Sequence, residues 1–148
     1  MKESWASSDA VRANMRANRS RDTKPELRVR QIVHSLGLRY RVAARPLSDC
    51  KFTADLVFTR ARVAVFVDGC FWHACPEHYR LPKTHRDYWA KKAEGNQARD
   101  RHVVASLVDA GWIAMRFWEH ENPTAVAQAI QRQVVSRSQT RWSKRIIP

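Results

Sequence analysis

The chain has 148 residues and a hydrophobic content of 44%, which suffices for one domain with its own core and argues against a disordered protein. No segment approaches the roughly 20 apolar residues of a membrane span, and the first residues lack the apolar stretch of a signal peptide, so a cytoplasmic protein without membrane association is expected. Its 27 Lys and Arg against 14 Asp and Glu give a net charge of +13, which favours a polyanionic partner such as nucleic acid.

The N-terminal half is predicted to contain a basic arm, one helix and three strands. Residues 8–20 carry several arginines and few apolar side chains, which is typical of a short surface helix or arm. Residues 23–26 have the spacing of a capping box with an early proline, and apolar residues recur at helical spacing from Val29 until Gly37. Short apolar runs then predict buried strands at residues 38–42, 54–58 and 63–67.

The C-terminal half is predicted to contain two helices around one strand. A helix is expected over residues 86–110 with a weak point at Gly95, and a strand over residues 112–118. Asn122 and Pro123 have the N-cap and first-turn pattern of a last helix. This order predicts an α/β fold with a mixed central sheet flanked by helices. The expected parts are a basic arm at 1–20, a main domain at 21–135 and a basic, mobile tail at 136–148.

Two aspartates belong to neighbouring predicted strands. Asp55 lies at the head of one strand and Asp68 at the far end of the next, so these carboxylates and the Val67 carbonyl can share a Mg²⁺ ion. A turn-forming role for Asp55 is the structural alternative. Hydrolysis of a phosphodiester needs such a cation together with a base that deprotonates water, and His73 is the candidate base.

The loop after the third predicted strand combines aromatic residues with possible metal ligands. Phe71 and Trp72 follow Gly69 in a polar setting, where rings can stack on bases or wedge between them. Cys75 and His78 have the spacing of half a zinc site, which alone is a weak signal, and a buried thiol is the alternative. Cys70, five positions before Cys75, is interpreted as a packed small residue.

These motifs together resemble the very-short-patch repair (Vsr) endonucleases, a mismatch-nicking branch of the restriction-endonuclease-like superfamily. The resemblance covers roughly residues 9–121. The matching segments, in chain order, are residues 14–17, 21–23 with Glu26, 54–58, 69–73, 88–89, 99–101 and 110–119. The resemblance implies nicking of one strand 5′ to the T of a T:G mismatch that arises by deamination of 5-methylcytosine.

The resemblance also implies roles for individual residues of the catalytic site. Asp55 matches the aspartate that binds Mg²⁺, and His73 matches the catalytic histidine that activates water. Glu26 matches a helix glutamate near the metal, a role that can coexist with the capping box. The DNA-wedging residues of the family are matched by aromatic residues and one methionine, the latter entering from the opposite groove: Phe71, Trp72, Trp89 and Met15.

A structural Zn²⁺ site is a further implication of the resemblance. Cys75 and His78 match two of its ligands, and Asp100 and His120 match the other two positions. The chain departs from the family at Asp68, where the best-known members have histidine, and at Val67, where they have threonine. Asp68 therefore has two open roles, as an additional metal ligand or as a group that orients His73 and raises its basicity.

The predicted partner is double-stranded DNA with a T:G mismatch, bound by a monomer in the bacterial cytoplasm near the nucleoid, with mismatch-repair proteins as possible partners. A Vsr-like nuclease for other modified or intact duplex DNA in a defence system is the alternative enzyme. A zinc-stabilised DNA-binding protein without catalysis is the alternative from another class, but it leaves Asp55, Asp68 and His73 unexplained.

Overall fold

The computed structural model describes residues 23–70, 75–77 and 80–143, with side chains up to residue 139. Within these ranges the chain forms three helices and four strands. In chain order they are α1 (Lys24–Ser35), β1 (Arg41–Ala44), β2 (Ala54–Phe58), β3 (Val63–Asp68), α2 (Arg86–Asp109), β4 (Ile113–Trp118) and α3 (Pro123–Ser143). The predicted element order is confirmed, whereas the predicted arm at residues 1–20 lies outside the described residues.

The four strands form a single mixed sheet in the order β1-β2-β3-β4. The first three strands are antiparallel neighbours, and β4 pairs parallel with β3 after the crossover through α2. The parallel register places Phe66 beside Arg116 and Asp68 beside Trp118. The prediction of a mixed central sheet flanked by helices is therefore confirmed, and the register brings the ends of β3 and β4 to the same edge.

Each face of the sheet has its own hydrophobic core. On one face, α1 and α3 contribute Val33 and Ile130, both fully buried, to a cluster with side chains of β2, β3 and β4. On the other face, Leu107 of α2 packs with Phe66 and Trp112. Successive side chains along a strand point to opposite faces of the sheet, so the strands contribute apolar residues to both cores.

Helix α1 begins and ends where the sequence predicts. The Thr23 hydroxyl accepts a hydrogen bond from the backbone N–H of Glu26 at 3.5 Å, and a proline occupies the first turn. Gly37 follows the helix with φ of 88°, a left-handed conformation that costs glycine little. Local signals therefore determine the position of Glu26 in the first turn of α1.

Two elements differ by several residues from the sequence-based prediction. Strand β1 covers Arg41–Ala44 instead of residues 38–42, because the Leu38 N–H closes the end of α1 by donating to the Val33 carbonyl at 3.3 Å. Helix α3 continues to Ser143, past the start of the predicted tail at Ser136. Arg137 of this extension donates to the Ala61 carbonyl at 3.0 Å and to the Gly111 carbonyl at 2.6 Å. The added turns are thus attached to the sheet, which the local sequence does not reveal.

Helix α2 runs without interruption through Gly95, where a weak point was predicted. Over the part of the chain that the structure describes, none of the helices is both long and apolar enough to cross a membrane.

Candidate active site and metal cluster

A cluster of three acidic residues lies where α1 meets the ends of β2 and β3. Asp55 of β2 accepts a hydrogen bond from the backbone N–H of Val67 through Oδ2 at 2.6 Å, which ties its carboxylate to β3. Glu26 of α1 is only 4% exposed and accepts a hydrogen bond from Arg30 at 2.9 Å. Asp68, at the end of β3, is 7% exposed. Asp55 itself is half-buried, and two buried carboxylates beside a third are unusual outside functional sites.

The environment of Asp55 favours its protonated form when no cation is present. Burial, followed by the hydrogen bond and negative charge of Glu26 and the charge of Asp68, raises the pKa of Asp55 from 3.8 to about 7, against the opposing effect of the Val67 N–H. The donors are hard oxygens, which are the ligands that Mg²⁺ prefers. The residues present therefore fit a magnesium ion, whose charge would relieve the repulsion among these carboxylates.

This pKa makes the stability of the metal-free protein dependent on pH. From about pH 4 to about pH 7 the folded chain retains a proton on Asp55 that the unfolded chain has lost, so the free energy of unfolding falls as the pH rises. The contribution of Asp55 is on the order of 4 kcal/mol across this window. Replacing Asp55 by asparagine is expected to remove this decline.

Urea unfolding of wild type and Asp55→Asn in EDTA, at about pH 5 and about pH 8, measures the difference. The wild type is expected to lose stability relative to the variant at the higher pH. If the free energy of unfolding changed equally with pH in both proteins, Asp55 would titrate near its ordinary pKa.

An unusual backbone conformation lies directly across the sheet from Asp55. In β1 the pairs Val42 with Leu56 and Ala44 with Ala54 leave Ala43 opposite Asp55, and Ala43 has φ of 46°. This left-handed conformation is energetically unfavourable for a residue with a Cβ, and such backbone strain is concentrated at functional sites. The strained position thus coincides with the predicted metal-binding residue.

Arg116 of β4 forms a network of contacts beside the acidic cluster. The guanidinium of Arg116 contacts both oxygens of Asp68, from Nε at 2.9 Å and from Nη2 at 2.7 Å. Its Nη2 also donates to Asp100 of α2 at 3.0 Å, and Cζ lies 4.5 Å from the ring centroid of Phe66. Arg116 was not among the predicted site residues.

A second cluster holds two thiols and an imidazole. The side chains of Cys70, Cys75 and His120 place one possible ligand atom each within 4.8 Å of one another. Nδ1 of His120 lies 3.2 Å from Sγ of Cys70 and 3.7 Å from Sγ of Cys75. The backbones of the two cysteines are also in contact, since the Cys75 N–H donates to the Cys70 carbonyl at 2.9 Å. Two sulfurs and one ring nitrogen are the donor set of a structural zinc site.

The surroundings of this cluster also fit a zinc ion. Burial and the neighbouring Cys75 raise the pKa of Cys70 to about 12, so the Cys70 thiol stays protonated unless a cation stabilises its thiolate. On the far side of the imidazole, Nε2 of His120 lies 3.6 Å from the carboxylate of Glu77. A histidine that ligates a metal through one ring nitrogen commonly donates a hydrogen bond from the other to a carboxylate, which orients the ring.

Comparison with known proteins connects these sites to one family. Residues 7–78 match the family model described as DNA mismatch endonuclease Vsr. The type II nicking enzyme V.NaeI of Lentzea aerocolonigenes is 50% identical over 110 residues, which cover 73% of this chain and 66% of the relative, just under two thirds. V.XorIIP, a type II nicking enzyme of Xanthomonas oryzae pv. oryzae, is 41% identical over 72% of this chain and 77% of the relative. The chain belongs to the Vsr family.

A further relative has the name of the family itself. The DNA mismatch endonuclease Vsr of Escherichia coli strain K12 is 34% identical to this chain over 107 residues, covering 72% of the chain and 67% of the relative. The chain is therefore a DNA endonuclease of the Vsr family, and the resemblance inferred from the sequence motifs is confirmed. The family match includes Glu26, Asp55 and Asp68 of the acidic cluster.

The structure brings together some of the residues that were predicted from the Vsr resemblance. Glu26 and Asp55 adjoin each other, and Cys75 adjoins His120. Asp100, predicted as a zinc ligand, is not in that cluster, because Arg116 holds its carboxylate. Cys70 is in the cluster instead, although it was interpreted as a packed small residue. The signal available in the sequence was Cys70-x₄-Cys75, which is meaningful only if the intervening loop turns back.

Of the predicted DNA-contacting residues, Trp89 lies in the described part of the chain. Trp89 is buried in the first turn of α2, with its ring 5.1 Å from that of Tyr88 and nearly perpendicular to it. Tyr88 is 41% exposed, so it is the more accessible ring at this point of the surface. The other predicted residues lie outside the described residues: Met15, Phe71, Trp72, His73 and His78.

Proposed function

We propose that this Vsr-family endonuclease nicks one strand of duplex DNA 5′ to the T of a T:G mismatch produced by deamination of 5-methylcytosine. The cofactors in this proposal are Mg²⁺ at the acidic cluster and Zn²⁺ at the thiol and imidazole cluster. The protein acts as a monomer with a restriction-endonuclease-like domain, in the bacterial cytoplasm at the nucleoid, and mismatch-repair proteins process the nick.

The observation that carries this proposal is the pairing of Asp55 with Glu26 at the edge where β3 ends. Two adjacent carboxylates, Glu26 buried and Asp55 half-buried and fixed by the Val67 N–H at 2.6 Å, repel each other unless a cation lies between them. They suit a reaction that needs a cation, and the net charge of +13 suits a DNA substrate.

The residues of this site have separate tasks. Asp55 would hold Mg²⁺ together with the Val67 carbonyl, and Glu26 would complete the acidic surroundings from α1. When bound, Mg²⁺ supplies positive charge for the phosphoryl and leaving oxygens of the scissile phosphodiester. His73, three positions after Cys70, would take the proton of the attacking water, because imidazole exchanges protons near neutral pH.

The zinc site would join two segments that are distant in the sequence. Cys70 and Cys75 follow β3, and His120 follows β4. His78 is the candidate for the fourth ligand, since a structural zinc ion takes four and the other predicted position, Asp100, is engaged by Arg116. Zinc would thereby hold the loop that carries Phe71, Trp72 and His73.

Mismatch recognition is assigned to side chains that enter the DNA stack. Phe71 and Trp72 would wedge beside the mismatch, and Met15 would enter from the opposite groove. Trp89 can take part only if its buried ring turns outward, so Tyr88 offers a second aromatic contact at this surface. A mismatched step resists unstacking less than a paired step, which lets a wedge select it.

Cleavage of three matched duplexes tests this function. Each duplex has the same sequence and a labelled strand, and they differ only in holding a T:G mismatch, a C:G pair or a 5-methylcytosine:G pair. The purified protein is incubated with each duplex in Mg²⁺ and, as a control, in EDTA. Nicking of the T-containing strand of the T:G duplex alone, in Mg²⁺ alone, is the expected result.

Other outcomes assign other functions. Nicking of all three duplexes, or of the methylated duplex, would favour a nuclease for intact or modified DNA. Binding without cleavage in any divalent cation would favour a DNA-binding protein, a possibility that the names of the relatives, nicking enzymes and an endonuclease, argue against.

Replacing His73 by alanine tests the assignment of the general base. We expect the single-turnover nicking rate at neutral pH to fall by about 10²- to 10⁴-fold, because water must then lose its proton without a positioned base. Binding of the T:G duplex in EDTA should change little. His34→Ala, at an exposed position in the last turn of α1, is the control. An undiminished rate in His73→Ala would assign the base to another group.

A further inference from the structure

Arg116 lies between two carboxylates that come from different elements. It belongs to β4, and its register partner in β3 is Phe66, two residues before Asp68. Its side chain extends along the sheet toward the strand end, where it contacts both oxygens of Asp68, and it also reaches Asp100 of α2. Only 21% of its side chain is exposed.

The contact of Arg116 with both oxygens of Asp68 limits the roles that this carboxylate can have. Both of its oxygens accept a hydrogen bond from the same planar guanidinium, at 2.9 Å and 2.7 Å, which is the geometry of a strong charge-assisted pair. Its carboxylate is 10% exposed. A cation that took Asp68 as a ligand would have to compete with this pair and would leave a largely buried guanidinium without its partner.

The other two carboxylates of the cluster are held differently. Glu26 accepts a hydrogen bond from Arg30, one turn along α1, at 2.9 Å through Oε2. Asp55 accepts a backbone N–H instead of a guanidinium. A cation approaching Asp55 therefore meets a carboxylate that a neutral N–H holds, with Glu26 beside it, whereas one approaching Asp68 meets a guanidinium that engages both carboxylate oxygens.

We propose that Arg116 is a positioning residue of the endonuclease site, which keeps the carboxylate of Asp68 away from the catalytic cation and so confines the cation to Asp55 and Glu26. The inference deepens the proposed function and rests on its Mg²⁺ site. Of the two roles open to Asp68, ligation of the metal is thereby excluded. Asp68 instead fixes the end of β3, whose Val67 carries both the N–H that holds Asp55 and the carbonyl assigned to the metal.

Binding of Mn²⁺ to the DNA-free protein tests this role without relying on activity. The probe is Mn²⁺ itself, whose free concentration is read from its electron paramagnetic resonance signal. Asp68→Asn is expected to bind Mn²⁺ within about threefold of wild type, because the residue is not a ligand. Arg116→Met should bind Mn²⁺ at least about tenfold more tightly or take up an additional ion, because it exposes a buried carboxylate to the cation. The double variant Arg116→Met with Asp68→Asn should return to wild-type binding.

Asp100→Asn is the matched control, since it weakens the other contact of the same guanidinium and leaves the pair with Asp68 in place. It should bind Mn²⁺ as wild type does. Arg116→Lys serves if Arg116→Met does not fold, because an ammonium keeps the charge but cannot span both oxygens of Asp68, and its Mn²⁺ affinity should lie between those of the other two proteins.

Two results would overturn the proposal. Weaker Mn²⁺ binding in Asp68→Asn would make Asp68 a ligand. Unchanged Mn²⁺ binding in folded Arg116 variants, with loss of thermal stability alone, would leave Arg116 a purely structural brace. A wild type that binds Mn²⁺ but fails to nick the T:G duplex would contradict the proposed function, while the comparison among the Arg116 and Asp68 variants would still decide the role of Arg116.

Discussion

Replacing Asp55 by asparagine is expected to abolish nicking while DNA binding persists. The substitution keeps the size of the side chain but removes the charged oxygen that would bind Mg²⁺, and a cation in such a site is worth several kcal/mol of transition-state stabilisation, or roughly 10³-fold or more in rate. The phosphate contacts that give affinity come from Lys and Arg elsewhere, so the affinity for the T:G duplex should change little.

Single-turnover nicking of the T:G duplex in Mg²⁺, together with fluorescence anisotropy of the same duplex in EDTA, measures the two properties separately. Asp49→Asn is the control, because Asp49 is an exposed carboxylate in the loop between β1 and β2. Turnover by Asp55→Asn at the wild-type rate would remove Asp55 from the catalytic site.

Replacing Cys75 by serine is expected to cost the protein its zinc and much of its stability. Cys75 is 1% exposed, and its cluster joins the segments after β3 and β4. Structural zinc sites contribute free energy of folding comparable to the entire stability of a small domain, about 5–15 kcal/mol. The variant should therefore unfold at a markedly lower temperature and retain far less than one equivalent of zinc.

Three further cysteine and aspartate variants show which residues are ligands. Cys50→Ser should keep its zinc, because the Cys50 thiol contacts the backbone carbonyls of Leu47 and Phe52, away from the cluster. Cys70→Ser should lose zinc and Asp100→Asn should keep it, according to the geometry of the structure. Elemental analysis decides each case, and less than about half an equivalent in untreated wild type would argue against a zinc site altogether.

The fold was predictable where local signals act alone. The apolar run of β2 predicted Ala54–Phe58 to the residue, and the Thr23 cap and Gly37 delimited α1 because capping and left-handed turns depend on neighbouring residues. The extension of α3 was not predictable, since Arg137 acts through carbonyls of the β2–β3 turn and of Gly111, which are distant in sequence.

In the candidate site, too, residues with a local sequence signal were predicted, whereas residues that depend on distant contacts were not. Asp55 and Glu26 were predicted through the motifs of the family, and the structure places them together. Arg116 has no local signal, because its partner Asp68 lies 48 residues away and only the parallel register of β3 and β4 brings them together. The proximity of Cys70 to Cys75 was not predicted, because it depends on a contact between the Cys75 N–H and the Cys70 carbonyl that the spacing of the two residues does not reveal.

The parallel pairing of β3 with β4 implies an order of folding. Strands β1 to β3 pair with their neighbours in sequence, but β4 can join only after the chain has closed a loop that contains all of α2, which is entropically costly and slow. Until then the apolar edge of β3 is open to pairing with other chains. A zinc ion at the thiol and imidazole cluster would fasten this loop at its closing point, so protein made in zinc-poor cells should aggregate during synthesis.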